Sequence, residues 1–150
     1  MTAWHKLIEQ QLVVNDQCYE ACILSKQNAV PWACSPGFIP RKYDALVTKD
    51  DGTEAHVDVN EAANLVEWIS TGTQPAHGLR FNGEKFMVVR SDSSGDSFFV
   101  NGRKGNMGIG IYTSSQCIVV GTYSESEGQA AAVCFDAVQK VADFLSRNDL

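Results

Sequence analysis

Residues 78–122 read GLRFNGEKFMVVRSDSSGDSFFVNGRKGNMGIGIYTSSQCIVVGT, and the punctuation of this stretch decides the fold. Runs rich in β-branched and aromatic residues (Leu79–Phe81, Lys85–Arg90, Ser97–Val100, Ile109–Thr113 and Gln116–Thr122) alternate with Asn82-Gly83, Ser94-Gly95, Gly102–Gly108 and Ser114-Ser115. Short strands separated by such residues predict hairpins. Proline is absent here, as a sheet interior requires. Strands joined by tight turns run antiparallel, because a parallel pair needs a long crossover.

Outward from this sheet the chain turns helical. Towards the C-terminus, Ser126-x-x-Gln129 has the form of a capping box. Behind it Ala130, Val133, Cys134, Ala137, Val138, Val141, Phe144 and Leu145 make a wide apolar stripe. On the other side, Asp58-x-x-Glu61 predicts a second capped helix, with Val59, Ala62, Ala63, Val66 and Ile69 as its stripe and Gly72 and Pro75 as its stop. Lys49–Thr53 is a turn, and Pro40 suits the first turn of a short helix through Val47. Gln17–Ser25 and Val30–Ala33 predict a hairpin. The first helix carries Trp4, Leu7, Ile8 and Leu12 at helical spacing, with Thr2 as its cap. The order is that of an α+β domain, an antiparallel sheet with helices packed on it.

The 150 residues, 44% hydrophobic and 20% charged, amount to one ordinary domain able to fold without metal or disulfide. No apolar run reaches membrane-spanning length, and the N-terminus lacks the pattern of a signal peptide. The net charge of −6 is that of a poor nucleic-acid binder, so no nucleic-acid partner is expected. It is concentrated in residues 44–67, where seven acids face one base, while residues 80–104 hold five bases against three acids. Five cysteines without a signal peptide predict a reducing compartment and free thiols. Cys18-x3-Cys22 could supply half a zinc site, but no second pair follows, so these read as small buried hydrophobes. No metal and no cofactor is expected.

Enzyme motifs are weak. Gly105-x-x-Gly108-x-Gly110 is reversed relative to a dinucleotide fingerprint and has no helix after it. A small enzyme or ligand sensor using Cys34 or Cys117 is the alternative, and an activated thiol would betray it by fast labelling near neutral pH. Trp4 and Trp32 are more suggestive. Core packing is the default for a tryptophan, but terminal positions are hard to bury, and an exposed aromatic pair makes a binding platform.

At this point the chain resembles the profilin family. Gly102-Arg103-Lys104-Gly105-Asn106-Met107-Gly108-Ile109-Gly110-Ile111, followed by Gln116-Cys117-Ile118-Val119-Val120-Gly121-Thr122-Tyr123, is similar to that family's glycine-lysine-rich strand pair. Gly78-Leu79, Lys85–Arg90, Ala142-Asp143-Phe144-Leu145, Trp4 and Val30-Pro31-Trp32-Ala33 complete the likeness, in order along nearly the whole chain. The resemblance implies a central antiparallel sheet, with N- and C-terminal helices together on one face and shorter helices on the other. It implies a cytoplasmic, cytoskeleton-associated protein that is not an enzyme. Such a protein binds monomeric actin, regulates its polymerisation and nucleotide exchange, and binds proline-rich segments of formin-like partners and, in many members, phosphoinositides.

By the same resemblance the proline groove is Trp4, Leu7, Trp32, Phe144 and Leu150. A polyproline II ligand is already extended and loses little entropy when its rings pack on such faces. Leucine at 7 and the two apolar C-terminal residues replace groups with hydrogen-bonding tips, which implies weakened affinity. The actin face is Lys85, Val88, Val89, Arg90, Arg103 and Lys104, then Ala130, Ala132, Phe135, Asp136 and Lys140. A polyproline adaptor with little actin binding is a further alternative. Trp32 and Gly78 are farther apart than in many relatives. The chain is thus expected to be a single profilin-like domain, 1–150, with an acidic insertion within about 44–67 whose charge modifies the actin interface.

Overall fold

A computed structural model describes residues 3–13, 17–94 and 97–150. Thr2 and Gly95 lie outside them. The stretch 78–122 forms five antiparallel strands: β5 (Leu79–Phe81), β6 (Glu84–Ser94), β7 (Ser97–Lys104), β8 (Met107–Thr113) and β9 (Cys117–Ser124). They join the N-terminal hairpin of β1 (Glu20–Ser25) and β2 (Pro31–Cys34) in one sheet of order β2-β1-β9-β8-β7-β6-β5. The turn expected over Gly102–Gly108 is tighter, because residues 102–104 and 107–108 remain paired.

Both faces of this sheet are covered. Every residue of β9 is buried, and Ala21 to Leu24 of β1 are fully enclosed. On one face Ala21, Ile23, Val119 and Tyr123 pack against Ile8 and Leu12 and against Cys134, Val138, Val141 and Leu145. Those residues belong to α1 (Ala3–Ile8) with its π-helical continuation Glu9–Val13, and to α3 (Ala131–Arg147). On the other face Cys22, Leu24, Phe81, Phe98, Ile109 and Val120 pack against Leu65 and Trp68 of α2 (Glu61–Thr71). This is the expected α+β arrangement, with the terminal helices side by side. Glycine makes the close approach of α3 possible. Gly110 and Gly121 face each other across β8 and β9. A Cβ on Gly110 would stand 2.6 Å from the Phe135 ring, and one on Gly121 2.5 Å from Val138.

Several expectations are corrected. Residues 40–47 are not helical: β3 (Lys42–Thr48) pairs with β4 (Glu54–Asn60) in a separate two-stranded sheet. Its exposed and half-buried residues alternate, with Tyr43, Ala45 and Val47 on the inner side. That period of two belongs to a strand. The Lys49–Thr53 turn closes the hairpin, with Asp51 Oδ1 accepting from the Thr53 amide at 3.0 Å and hydroxyl at 2.6 Å. α2 consequently starts later than expected. Asp58 lies in β4, and the cap is Asn60, whose Oδ1 accepts from Ala63 N–H at 3.1 Å. Gly72, left-handed with φ 75°, ends α2 as expected.

Ser126 and Gln129 do not box α3 either. Gln129 is buried and folds back, its Oε1 accepting from Ser124 N–H at 2.9 Å, and α3 begins after Ala130 with no side-chain cap. Val133 and Phe144 leave the apolar stripe and face solvent. Cysteine chemistry is corrected as well. Cys22 and Cys34, opposite one another across β1 and β2 with Cα atoms 4.1 Å apart, form a disulfide. Cys18, Cys117 and Cys134 are free and buried.

Glu61, expected only as a capping residue, is a buried staple. It is 2% exposed. Its Oε1 accepts from Arg41 N–H at 2.7 Å, and its Oε2 from the Tyr43 hydroxyl at 2.8 Å and Gly83 N–H at 2.9 Å. One carboxylate thus joins the base of the hairpin, the start of α2 and the β5–β6 turn.

Candidate functional site

Trp32 stands on β2, the edge strand, where the pairing with β1 slips. Ile23 pairs with Ala33 and Leu24 with Pro31, so Trp32 is the extra residue of a β-bulge. A bulge re-aims side chains. Ala33 belongs to the core beneath the terminal helices, and Trp32 turns to the same side, meeting Trp4 of α1 with ring centroids 5.2 Å apart and planes tilted by 48°. Trp4 is half-buried and Trp32 is 37% exposed. The third tryptophan, Trp68, is core, edge-on to Phe98 at 5.4 Å.

The other three candidate proline-contact residues are placed differently. Leu7 and Phe144 line a groove of about 690 Å³ between the terminal helices, with Gln11, Val133, Lys140 and Val141. Trp32 lines a separate polar hollow with Lys26, Gln27, Ser115 and Gln116. Leu150 packs against the helix-side core, and its carbonyl accepts from the Gln116 amide and, at 2.8 Å, from the Ser114 hydroxyl. The structure therefore brings Trp4 to Trp32 and Leu7 to Phe144, and anchors Leu150 beside the β8–β9 turn.

The candidate actin-contact residues fall on β6, β7 and α3 with its preceding residue Ala130. A second bulge organises them. Val88 pairs with Gly102 and Arg90 with Asn101, leaving Val89 as the extra residue, 58% exposed. Arg90 then lies over Phe99, its guanidinium carbon 5.4 Å from the ring centroid, and Phe99 stacks on Tyr112 at 5.5 Å. Phe135 is half-buried, edge-on to Tyr123 at 5.6 Å. The cations are largely engaged within the chain: Arg103 with Glu125 at 3.5 Å, Lys104 with Glu84, and Lys140 with Asp136 at 2.8 Å. Lys85 and Val88 line a hollow with Gln74, Met87 and Arg103, while Ala130 and Ala132 are exposed at the start of α3.

Met87, 69% exposed in that hollow, and the Phe99–Tyr112 pair were not singled out from the sequence. Alternation along β7 and β8 carries a signal for the pair, since Phe99 and Tyr112 are direct register partners, but the register itself is needed to see it.

The cysteines named for a thiol chemistry have other roles. Cys34 is in the disulfide, and burial pushes the Cys117 thiol up. The Cys134 thiol is also raised, by its hydrogen bond with Cys18, 3.2 Å away, and by burial. Tyr112 and Tyr123 are raised chiefly by burial. Among the described residues no cluster suited to a metal ion occurs, and no helix is long and apolar enough to cross a membrane.

Fold and element order define a class, that of small α+β domains whose terminal helices share one face of an antiparallel sheet. The chain belongs to the profilin family, whose model matches residues 2–150. It is 27% identical over 151 residues to profilin of Tetrahymena pyriformis, covering 97% of this chain and 95% of that one. It is 39% identical over 75 residues to profilin-P of Physarum polycephalum, covering 49% and 54%. Among solved structures, Schizosaccharomyces pombe profilin superposes with a TM-score of 0.75 at 18% identity, and Acanthamoeba castellanii profilin II with 0.72 at 21%. Each of these two alignments covers 99% of this chain and all of the other. Profilins are a non-enzymatic family of actin-binding, cytoskeletal regulators.

Proposed function

We propose that this chain is a cytoplasmic single-domain profilin that binds monomeric actin, speeds exchange of its nucleotide and holds proline-rich segments of formin-like partners. Phosphoinositides are a further ligand class of the same reading. The actin contacts are Lys85, Val88, Val89, Arg90, Arg103, Lys104, Ala130, Ala132, Phe135, Asp136 and Lys140. The proline contacts are Trp4, Leu7, Trp32, Phe144 and Leu150. The observation that carries the reading is the half-exposed Trp4–Trp32 pair. Two tilted indoles at the sheet edge present flat apolar faces to proline rings, and indole N–H groups can donate to the ligand's bare carbonyls. The effect on actin needs no bond chemistry: a protein that prefers one conformation of its partner changes that partner's affinity for nucleotide.

A decaproline titration read by tryptophan fluorescence, run beside an actin nucleotide-exchange assay, tests both halves. The wild type should show a saturable fluorescence change and faster exchange. Trp4→Ala should lose the first and keep the second. A folded Trp4→Ala protein that binds decaproline unchanged removes the groove assignment.

One observation favours a second reading, a proline-binding adaptor with little actin binding. The Arg103, Lys104 and Lys140 cations are already paired within the chain. Half-exposed pairs of this kind contribute about 0–1 kcal/mol, yet each must be exchanged before the cation meets a partner. Decaproline binding without any effect on exchange selects this reading.

A further inference from the structure

Trp32 depends on a short edge strand. β2 has four residues, lies at the sheet edge, pairs only with β1, and contains the bulge that turns Trp32 towards Trp4. A short edge strand opens more readily than the strands behind it. Both of its ends are tied to β1. Before the bulge, the β1–β2 turn holds Val30, whose carbonyl accepts from Ser25 N–H at 2.9 Å. After the bulge, the Cys22–Cys34 disulfide ties β2 to the core strand β1, two residues from Trp32, and next to it Ser35 N–H donates to the Ala21 carbonyl at 2.8 Å while Ser35 Oγ accepts from Ala21 N–H at 3.0 Å.

The two sulfur-bearing residues differ in access. Cys22 is fully buried within the α2-side core, whereas Cys34 is partly exposed on the edge. The cysteines that remain reduced sit at 0–1% exposure, with the thiols of Cys117 and Cys134 raised, so they are poor competitors for exchange.

We propose that the Cys22–Cys34 cystine is a thiol–disulfide exchange site that governs how Trp32 is presented to Trp4 and, through that pair, the affinity for proline-rich ligands. The ligand half rests on the proline-binding reading above. In the reducing direction the thiolate of a dithiol attacks Cys34 Sγ. The bond to Cys22 breaks, and the Cys22 thiolate leaves and takes a proton. The reductant's second thiol then attacks the mixed disulfide, freeing Cys34 as a thiol while the dithiol becomes a cyclic disulfide. In the oxidising direction, the two cysteine thiols and one low-molecular-weight disulfide give the cystine and two small thiols. With the tie open, the covalent limit on that end of β2 is gone and only the Ser35–Ala21 hydrogen bonds beyond it, which can open and reclose, remain. The bulge can relax, and Trp32 leaves the indole contact for part of the time. If the paired arrangement is then populated about one-fifth of the time, apparent affinity falls about fivefold.

The test compares the whole protein oxidised with glutathione disulfide, the same protein reduced with dithiothreitol, and the Cys22→Ser/Cys34→Ser double variant. Alkylation of the unfolded chain should count three free thiols before reduction and five after. Coupling between the two indoles is read by near-ultraviolet circular dichroism, opening of residues 31–34 by hydrogen exchange, and affinity by decaproline titration. Reduction should weaken the coupled indole band, speed exchange at 31–34 and weaken decaproline binding about fivefold. The double variant should match the reduced protein and ignore dithiothreitol.

Absence of the crosslink in the oxidised protein, an indole band and exchange rates indifferent to reduction, or an equal response of the double variant each overturns the proposal. Indole changes with equal decaproline affinity in both states overturn its ligand half. Indole changes with no decaproline binding in any state leave control of the tryptophan pair standing and remove the proline-binding reading instead.

Discussion

Glu61 is the only charge among the described residues with so little access to water, and its three donors come from segments 20 residues before it and 22 after it. Truncating it strands two backbone N–H groups and the Tyr43 hydroxyl. A buried donor left without a partner costs about 1–3 kcal/mol, so Glu61→Ala should destabilise by about 3 kcal/mol after partial hydration of the site. Urea unfolding measures this, and a loss under about 0.5 kcal/mol, the range of an ordinary surface change, contradicts the staple. Arg90 poses the opposite case. It is exposed, its intramolecular contact is the Phe99 ring, and a cation–π contact at such a site is worth about 0.5–1 kcal/mol. Arg90→Glu should therefore cost the fold no more than about 1 kcal/mol, while reversing a charge at a complementary interface costs several. Unchanged nucleotide exchange on actin at limiting Arg90→Glu protein removes Arg90 from the interface. The tryptophan positions were legible from the family likeness. The cystine and the staple were not, because each needs the cross-strand register or a contact between distant segments, neither of which local spacing encodes.

At the scale of elements, the five strands of 78–122 and the terminal helices follow from periodicity and turn residues. The error lies in residues 40–60. Pro40 before an apolar-polar mixture invited a helix, but Tyr43, Ala45 and Val47 keep a strict alternation opposite Val59, Val57 and Ala55. Starting the next helix at Asp58, inside the end of β4, belongs to the same error, since Asp58 imitates a cap two residues before the real one. The hairpin bears Asp44, Asp50, Asp51, Glu54 and Asp58, all exposed, with Asp44 against His56 at 2.9 Å. The Thr53 hydroxyl, then its amide, holds the Asp51 carboxyl below its ordinary range. If this acidic arm acts on actin binding, affinity should depend on salt more steeply in the wild type than in Asp50→Asn/Asp51→Asn/Glu54→Gln, because a Debye length of about 8 Å at physiological ionic strength screens such exposed charge. Actin titrations from low to high salt check this, and parallel curves make the arm a bystander.

The whole molecule has two cores separated by one sheet, and five thiols and phenols are shifted in one direction. Burial raises Cys117, Tyr112, Tyr123 and Tyr43, with a Glu61 hydrogen bond adding to the last, and Cys134 is raised by Cys18 and burial. Each group holds its proton more tightly folded than unfolded. Their stabilising contribution is complete below the ordinary thiol value of 9.0 and is lost as pH rises from there towards the folded values, the phenols joining from 10.0. Urea midpoints should fall steadily above pH 9, and a flat profile to pH 11 contradicts these shifts. Stitching of the last residues has a practical corollary. The Asp149 carbonyl accepts from the Gln116 side chain at 2.7 Å, and the Leu150 carbonyl from the backbone of the same residue. Gln116 borders the hollow of Trp32. An affinity tag or fluorescent protein fused after Leu150 would thus emerge at the rim of the tryptophan surface and shade it, whereas the same cargo inserted at the exposed tip around Gly52 would be carried by the hairpin.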